Sequence, residues 1–173
     1  VVMAQESAGE DPPPEDRTGV VLGYGFAADI NGSTDIDVGS LALRWTRPLR
    51  GFRPLGAEAR WGWEGAGFGF DREPAALGVG DHLLYEMPLA SESTVTPLIR
   101  LGLGALVSNR RVPAGATFHN FSLFAEAGVE VDLSGGGWLQ FGYRLHHVSN
   151  ADTGLRNLGI NAHTLVLGWS WRP

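Results

Sequence analysis

His147 and Ser149, two residues apart, carry the side chains of an acyl-transfer pair, a general base and a nucleophile. In an extended segment such residues share a face and lie ~6.5–7 Å apart at Cα, a gap that an imidazole can span to a hydroxyl. Asn150 follows the serine directly, and its amide is a donor for the oxyanion that acyl transfer develops. Asn161 is available to orient His147 if the face on which it falls points outward. His-x-Ser-Asn is a short motif that also arises for structural reasons. What separates the two readings is the surface on which it stands.

That surface is read from the alternation around it. With period 2, Leu139, Phe141, Tyr143, Leu145, His147 and Ser149 fall on one face, and Gln140, Gly142, Arg144 and His146 on the other. Asn161 falls with Leu165, Leu167 and Trp169. A soluble sheet buries its apolar face and rarely ends it with a His and a Ser. A membrane barrel turns that face to lipid, and polar groups exposed to hydrocarbon cost free energy. A His and a Ser there point to chemistry at the bilayer rim.

Eight alternating segments bounded by turn residues can be counted: 19–29, 37–48, 55–68, 77–87, 95–107, 119–133, the segment through Ser149, and 161–171. Opposite the apolar stripe stand Glu58, Arg60, Glu64, Glu86, Arg100, Glu126, Glu130 and Arg144. In a small barrel these fill the interior as a mutually neutralising network. An even strand count, strands of spanning length, and Trp and Tyr near strand ends favour the membrane arrangement. The expectation is an all-β, eight-stranded antiparallel transmembrane β-barrel over residues 19–173. Residues 1–18 read as a signal-peptide remnant or disordered leader, acidic and carrying Pro12–Pro14.

Composition sets the remaining bounds. Gly occurs 25 times in 173 residues, about twice the ordinary share of roughly 7%, as suits short barrel strands. The net charge of −6 leaves no basic footprint for nucleic acid, and the absence of cysteine excludes disulfides and thiolate chemistry. His82 and His119 lack partners at metal-ligand spacing, so a metal site is not expected. His146 reads as inward, in the interior network with Arg144, and His163 as an interfacial polar group or a substrate contact. Arg110 and Arg111 lie on a loop, either solvated or pairing with phosphates. Asp152 is an alternative source of negative charge for the histidine.

His147-Val-Ser-Asn150, followed by Asn157-Leu-Gly-Ile-Asn161 and a final aromatic strand, resembles the lipid A 3-O-deacylase (PagL) family, as do Pro97–Gly104 and Phe121–Gly128. The resemblance covers most of the barrel. It implies an enzyme in the outer membrane of a Gram-negative-type bacterium, acting on lipid A or lipopolysaccharide, alone or as a homodimer. Its active site would lie on the lipid-facing wall, without a cofactor. Carried over, Ser149 is the nucleophile, His147 the base, Asn150 an oxyanion-hole donor, and Asn161 stands where the family has a Glu. That departure leaves open a non-catalytic barrel with a structural or interaction role.

Overall fold

The computed structural model describes residues 15–29, 35–71, 75–90, 93–112, 116–154 and 159–173. Its strands are β1 (Arg17–Asp29), β2 (Asp35–Pro48), β3 (Arg60–Asp71), β4 (Ala76–Pro88), β5 (Val95–Ser108), β6 (His119–Asp132), β7 (Gly137–Ser149) and β8 (Ile160–Trp171). Each pairs antiparallel with the next, and β8 returns to β1, so the sheet closes as a barrel. Closure removes the unpaired edges that hydrocarbon would not tolerate. Of the expected leader, residues 1–14 lie outside the described residues, and β1 begins at Arg17, two residues before the expected boundary.

The wall is apolar outward and charged inward. Leu22, Leu43, Val79, Leu103 and Leu165 are all exposed, Leu165 at 72% of its surface. Inside, Arg44, Arg60, Arg100 and Arg144 face Glu64, Glu86, Glu126 and Glu130, four of each sign. Arg144 donates to Glu64 at 2.8 Å and to Glu126 at 2.7 Å. Arg44 donates to Glu64 at 2.8 Å and to Gln140 at 2.7 Å, and Arg100 pairs with Glu86 and Glu126. Such burial is tolerated only because each charge meets its opposite.

Two sequence expectations need correction. The third strand starts at Arg60 rather than Leu55. Leu55 to Ala59 belong to a turn in which Leu49 N–H donates to Ala59 O at 2.8 Å. Glu58 is therefore not an interior charge; its carboxylate accepts from Gly51 N–H at 3.0 Å, where the backbone φ is +76°. His146 is inward as expected, but its partner is Ser122 rather than the arginine–glutamate network. The Ser122 hydroxyl lies 2.6 Å from His146 Nε2 and 2.7 Å from His82 Nε2, linking three strands across the lumen.

All six tryptophans gather toward the end of the barrel that carries both termini. Trp45, Trp61, Trp63, Trp169 and Trp171 lie on the outer wall, while Trp138 turns inward beneath the Arg17 guanidinium, 3.7 Å from its ring. The opposite end is filled differently. Ile36, Val38, Phe68, Phe70, Leu106, Val148 and Ile160 form a buried apolar plug there. Val148 and Ile160 are the inward neighbours of His147, Ser149 and Asn161, so the plug anchors the backbone behind those three.

Candidate active site

The site stands at the end of β7 and the start of β8, away from the termini. His147 is directly opposite Asn161 in the β7–β8 ladder and opposite Leu123 in the β6–β7 ladder. Facing residues on one side of a sheet have Cβ atoms ~4.5–5.5 Å apart, close enough for a direct hydrogen bond. His147 Nδ1 and Asn161 Oδ1 are 2.7 Å apart. A carbonyl oxygen only accepts, so Nδ1 carries the proton and Nε2 keeps its lone pair. That is the tautomer required of a general base.

Ser149 follows two residues along β7 on the same outward face, half-buried beside Phe121. No hydrogen bond joins its hydroxyl to His147 among the described residues. Catalytic hydrogen bonds are often long before substrate arrives and tighten in its complex. The outward orientation of both side chains follows from their ladder neighbours, since Leu123, Leu145 and Phe121 are all exposed. His147, Ser149 and Asn161 therefore open to the bilayer rather than to the lumen.

Asn150 alternates to the other face and is only 1% exposed. Its Oδ1 accepts from Asp152 N–H at 3.2 Å, and its main-chain oxygen accepts from Thr153 N–H at 2.9 Å. Ala151 and Asp152 both have positive φ, at 47° and 62°, so this turn reverses sharply. Asn150 ties the turn to the strand, while Asp152 remains exposed on it. The imidazole Nδ1 is held by Asn161 and not by Asp152.

One feature of this wall is not apparent from alternation. Tyr143 OH is hydrogen-bonded to His163 Nδ1, and the His163 ring stacks on Phe26 with centroids 5.2 Å apart. Both residues alternate outward, but only the β7–β8 register shows that they meet diagonally. Below them an apolar groove of about 500 Å³ runs along the outer wall, lined by Leu22, Tyr24, Phe141, Leu165 and Leu167. A larger cavity, about 630 Å³, opens at the other end around Arg17, Arg60, Glu130 and Trp138 and contains none of the site residues. Among the described residues, no three His, Cys, Asp or Glu side chains are placed to hold a metal ion.

The arrangement defines a class, an eight-stranded outer-membrane barrel with a Ser–His–amide row on its lipid-facing wall. A family model described as lipid A 3-O-deacylase (PagL) matches residues 39–170. The chain belongs to that family. Its fold is similar to the crystal structure of the outer membrane enzyme PagL, with a TM-score of 0.64 and 15% identity, covering 86% of this chain and 97% of that one. Neisserial surface protein A is similar at a TM-score of 0.67 and 13% identity, covering 91% and 97%. The attachment invasion locus protein of Yersinia pestis follows at 0.52 and 11%, covering 92% and 100%. At these identities the likeness shows the fold alone. No curated protein matches the chain.

Proposed function

We propose that the protein hydrolyses the 3-O-linked acyl ester of lipid A from within the membrane, with Ser149 as nucleophile and His147 as base. The observation that carries this reading is the 2.7 Å contact between His147 Nδ1 and Asn161 on a lipid-facing wall, in a chain of this family. In this reading the end opposite both termini, which carries the site, faces the outer leaflet that holds lipopolysaccharide.

The steps follow from the residues. His147 Nε2 takes the Ser149 proton as Oγ attacks the ester carbonyl. The oxyanion is stabilised by Asn150. Its main-chain N–H, next to the nucleophile, is the favoured donor because its carboxamide is buried on the inward face. The tetrahedral intermediate collapses, the sugar oxygen leaves with the proton from His147, and an acyl-serine remains. Water, deprotonated by the same imidazole, releases the fatty acid and restores Ser149. The apolar groove on the outer wall suits the acyl chain.

A second reading rests on Asn161. An amide orients the imidazole but cannot neutralise the imidazolium, so the barrel has a reason to be inactive and to serve as a structural or interaction protein. Mass spectrometry of lipid A from cells expressing the wild type or Ser149→Ala separates the two. Loss of one hydroxyacyl chain in the wild type alone is expected. Unchanged lipid A in both cultures would favour the non-catalytic barrel.

A further inference from the structure

We propose that the lipid-facing wall around Asp81 is a docking surface for a second membrane protein, one that brings a lysine or arginine side chain to the carboxylate. Asp81 lies on β4, on the far side of the barrel from His147 and Ser149, and the inference does not depend on the deacylase reading.

Asp81 breaks the pattern of a wall that is apolar outward. It is exposed midway along β4, five residues from Ala76 and seven from Pro88, with Val79 and Leu83 to either side on the same face. Its ladder partners are Gly65 on β3 and Ala105 on β5, neither of which can meet a charge. Glu64, Glu86, Glu126 and Glu130 in the lumen each meet an arginine. Among the described residues, no hydrogen bond or ion pair reaches the Asp81 carboxylate. Its single methylene is too short to lift the charge to the membrane surface, as the long stems of lysine and arginine do. An ionisable group held in hydrocarbon is costly and marks a place with a task.

The wall around the carboxylate is shaped for close approach. Gly65, Gly67 and Gly69 alternate outward along β3, and Gly39 of β2 stands opposite Gly69. A Cβ on Gly39 would meet nothing within 4 Å, and one on Gly67 or Gly69 would meet only an atom 4.0 Å away. The barrel's own packing therefore does not require glycine at these three positions. Glycine weakens a strand and leaves no side chain to pack, and it suits a place where another backbone comes near. Gly65 has a different reason. A Cβ there would run into the Trp63 indole, which lies across the position directly opposite Asp81. Trp63 is 47% exposed, so the wall presents a carboxylate with an indole beside it. That pairing attracts an ammonium or guanidinium both by charge and through the ring face.

A second copy of this chain offers no matching cation. The sequence contains no lysine. Of the strand arginines, Arg17, Arg44, Arg60, Arg100 and Arg144 point into the lumen, and Arg47 is held by Asp16 at the end that carries the termini. Lipid headgroups lie at the membrane surface, away from the middle of a spanning strand. A membrane-spanning segment with a basic side chain at that depth is the partner whose chemistry fits.

The test uses the full chain in phosphatidylcholine vesicles. Association with a synthetic leucine-rich spanning helix that carries one central lysine is measured by energy transfer, against matched helices with leucine or glutamate in its place. The lysine helix should bind roughly tenfold or more tightly than the leucine helix. That preference should vanish in Asp81→Leu and Asp81→Asn, survive in Asp81→Glu and shrink in Trp63→Leu. The urea midpoint of Asp81→Leu should equal or exceed that of the wild type, since the change takes a charge off the lipid face. Equal binding of the three helices, or a preference that survives Asp81→Leu, would overturn the proposal. A lowered midpoint in Asp81→Leu would overturn it too, by making the carboxylate a structural element. So would wild-type barrels that associate with one another through Asp81, which would give the surface to a second copy.

Discussion

Asn161 Oδ1 faces His147 Nδ1 at 2.7 Å across the β7–β8 ladder, and both side chains lie on the wall that faces lipid. The amide sets the imidazole tautomer and orientation as a carboxylate would. What it lacks is charge. In a low-dielectric setting a carboxylate beside an imidazolium is worth more than in water, so the difference falls on the step in which His147 is protonated.

Replacing Asn161 with Glu should therefore speed acyl release, and replacing it with Leu should slow it below wild type. The acid-to-amide change in a Ser triad is worth on the order of 10⁴ in rate, which sets the ceiling for the gain. Initial rates on lipid A in mixed micelles measure it. No change in either variant would remove Asn161 from the mechanism.

As the proposed nucleophile and base, Ser149 and His147 would act as a unit, so their losses should not add. Ser149→Ala, His147→Ala and the double substitution should each fall to the same residual rate, with about 10³-fold or greater loss. All three should still migrate as heat-modifiable folded barrels, because both side chains lie on the outer wall. Multiplying losses would mean that the two residues work independently.

The interior network governs stability. Glu126 accepts from Arg144 and pairs with Arg100, so Glu126→Ala removes one of the two carboxylates that each of these buried guanidinium groups meets, leaving Glu64 to Arg144 and Glu86 to Arg100. Breaking such a pair costs about 3–5 kcal/mol, which should lower the urea midpoint of the barrel in lipid vesicles markedly. Leu165→Ala, on the lipid face, should move it far less. Equal shifts would contradict the inside–outside assignment.

Gly104 tests the closeness of the β4–β5 pair. A Cβ there would sit 1.6 Å from Asp81 O, whereas one on Gly39 meets nothing within 4 Å. Gly104→Val should abolish the folded band on unheated gels and Gly39→Ala should retain it. A folded Gly104→Val barrel would mean that the strands can part without penalty.

Much of this is legible in sequence because a barrel strand writes its orientation into every second residue. Alternation alone puts Tyr143, Leu145, His147 and Ser149 on one face, and the alternation of β8 brings Asn161 to the same wall. The same pattern misleads at Ala57-Glu58-Ala59, where alternation persists into a turn closed by the Leu49–Ala59 and Gly51–Glu58 hydrogen bonds. The Ser122 bridge between His82 and His146 is beyond the reach of sequence for a different reason. It joins β4, β6 and β7 across the lumen, and only closure of the sheet brings them together. The Tyr143–His163 contact likewise depends on register, which alternation does not supply.

We propose that Ser149 is a working nucleophile that opens to lipid. Covalent capture tests it most directly: the barrel in vesicles is treated with a bilayer-soluble fluorophosphonate, then digested, and the modified peptide is identified by mass. The predicted result is an adduct on Ser149 that is lost in His147→Ala and is much weaker with a charged, water-soluble analogue. An unmodified Ser149, or labelling that is indifferent to His147, would contradict it.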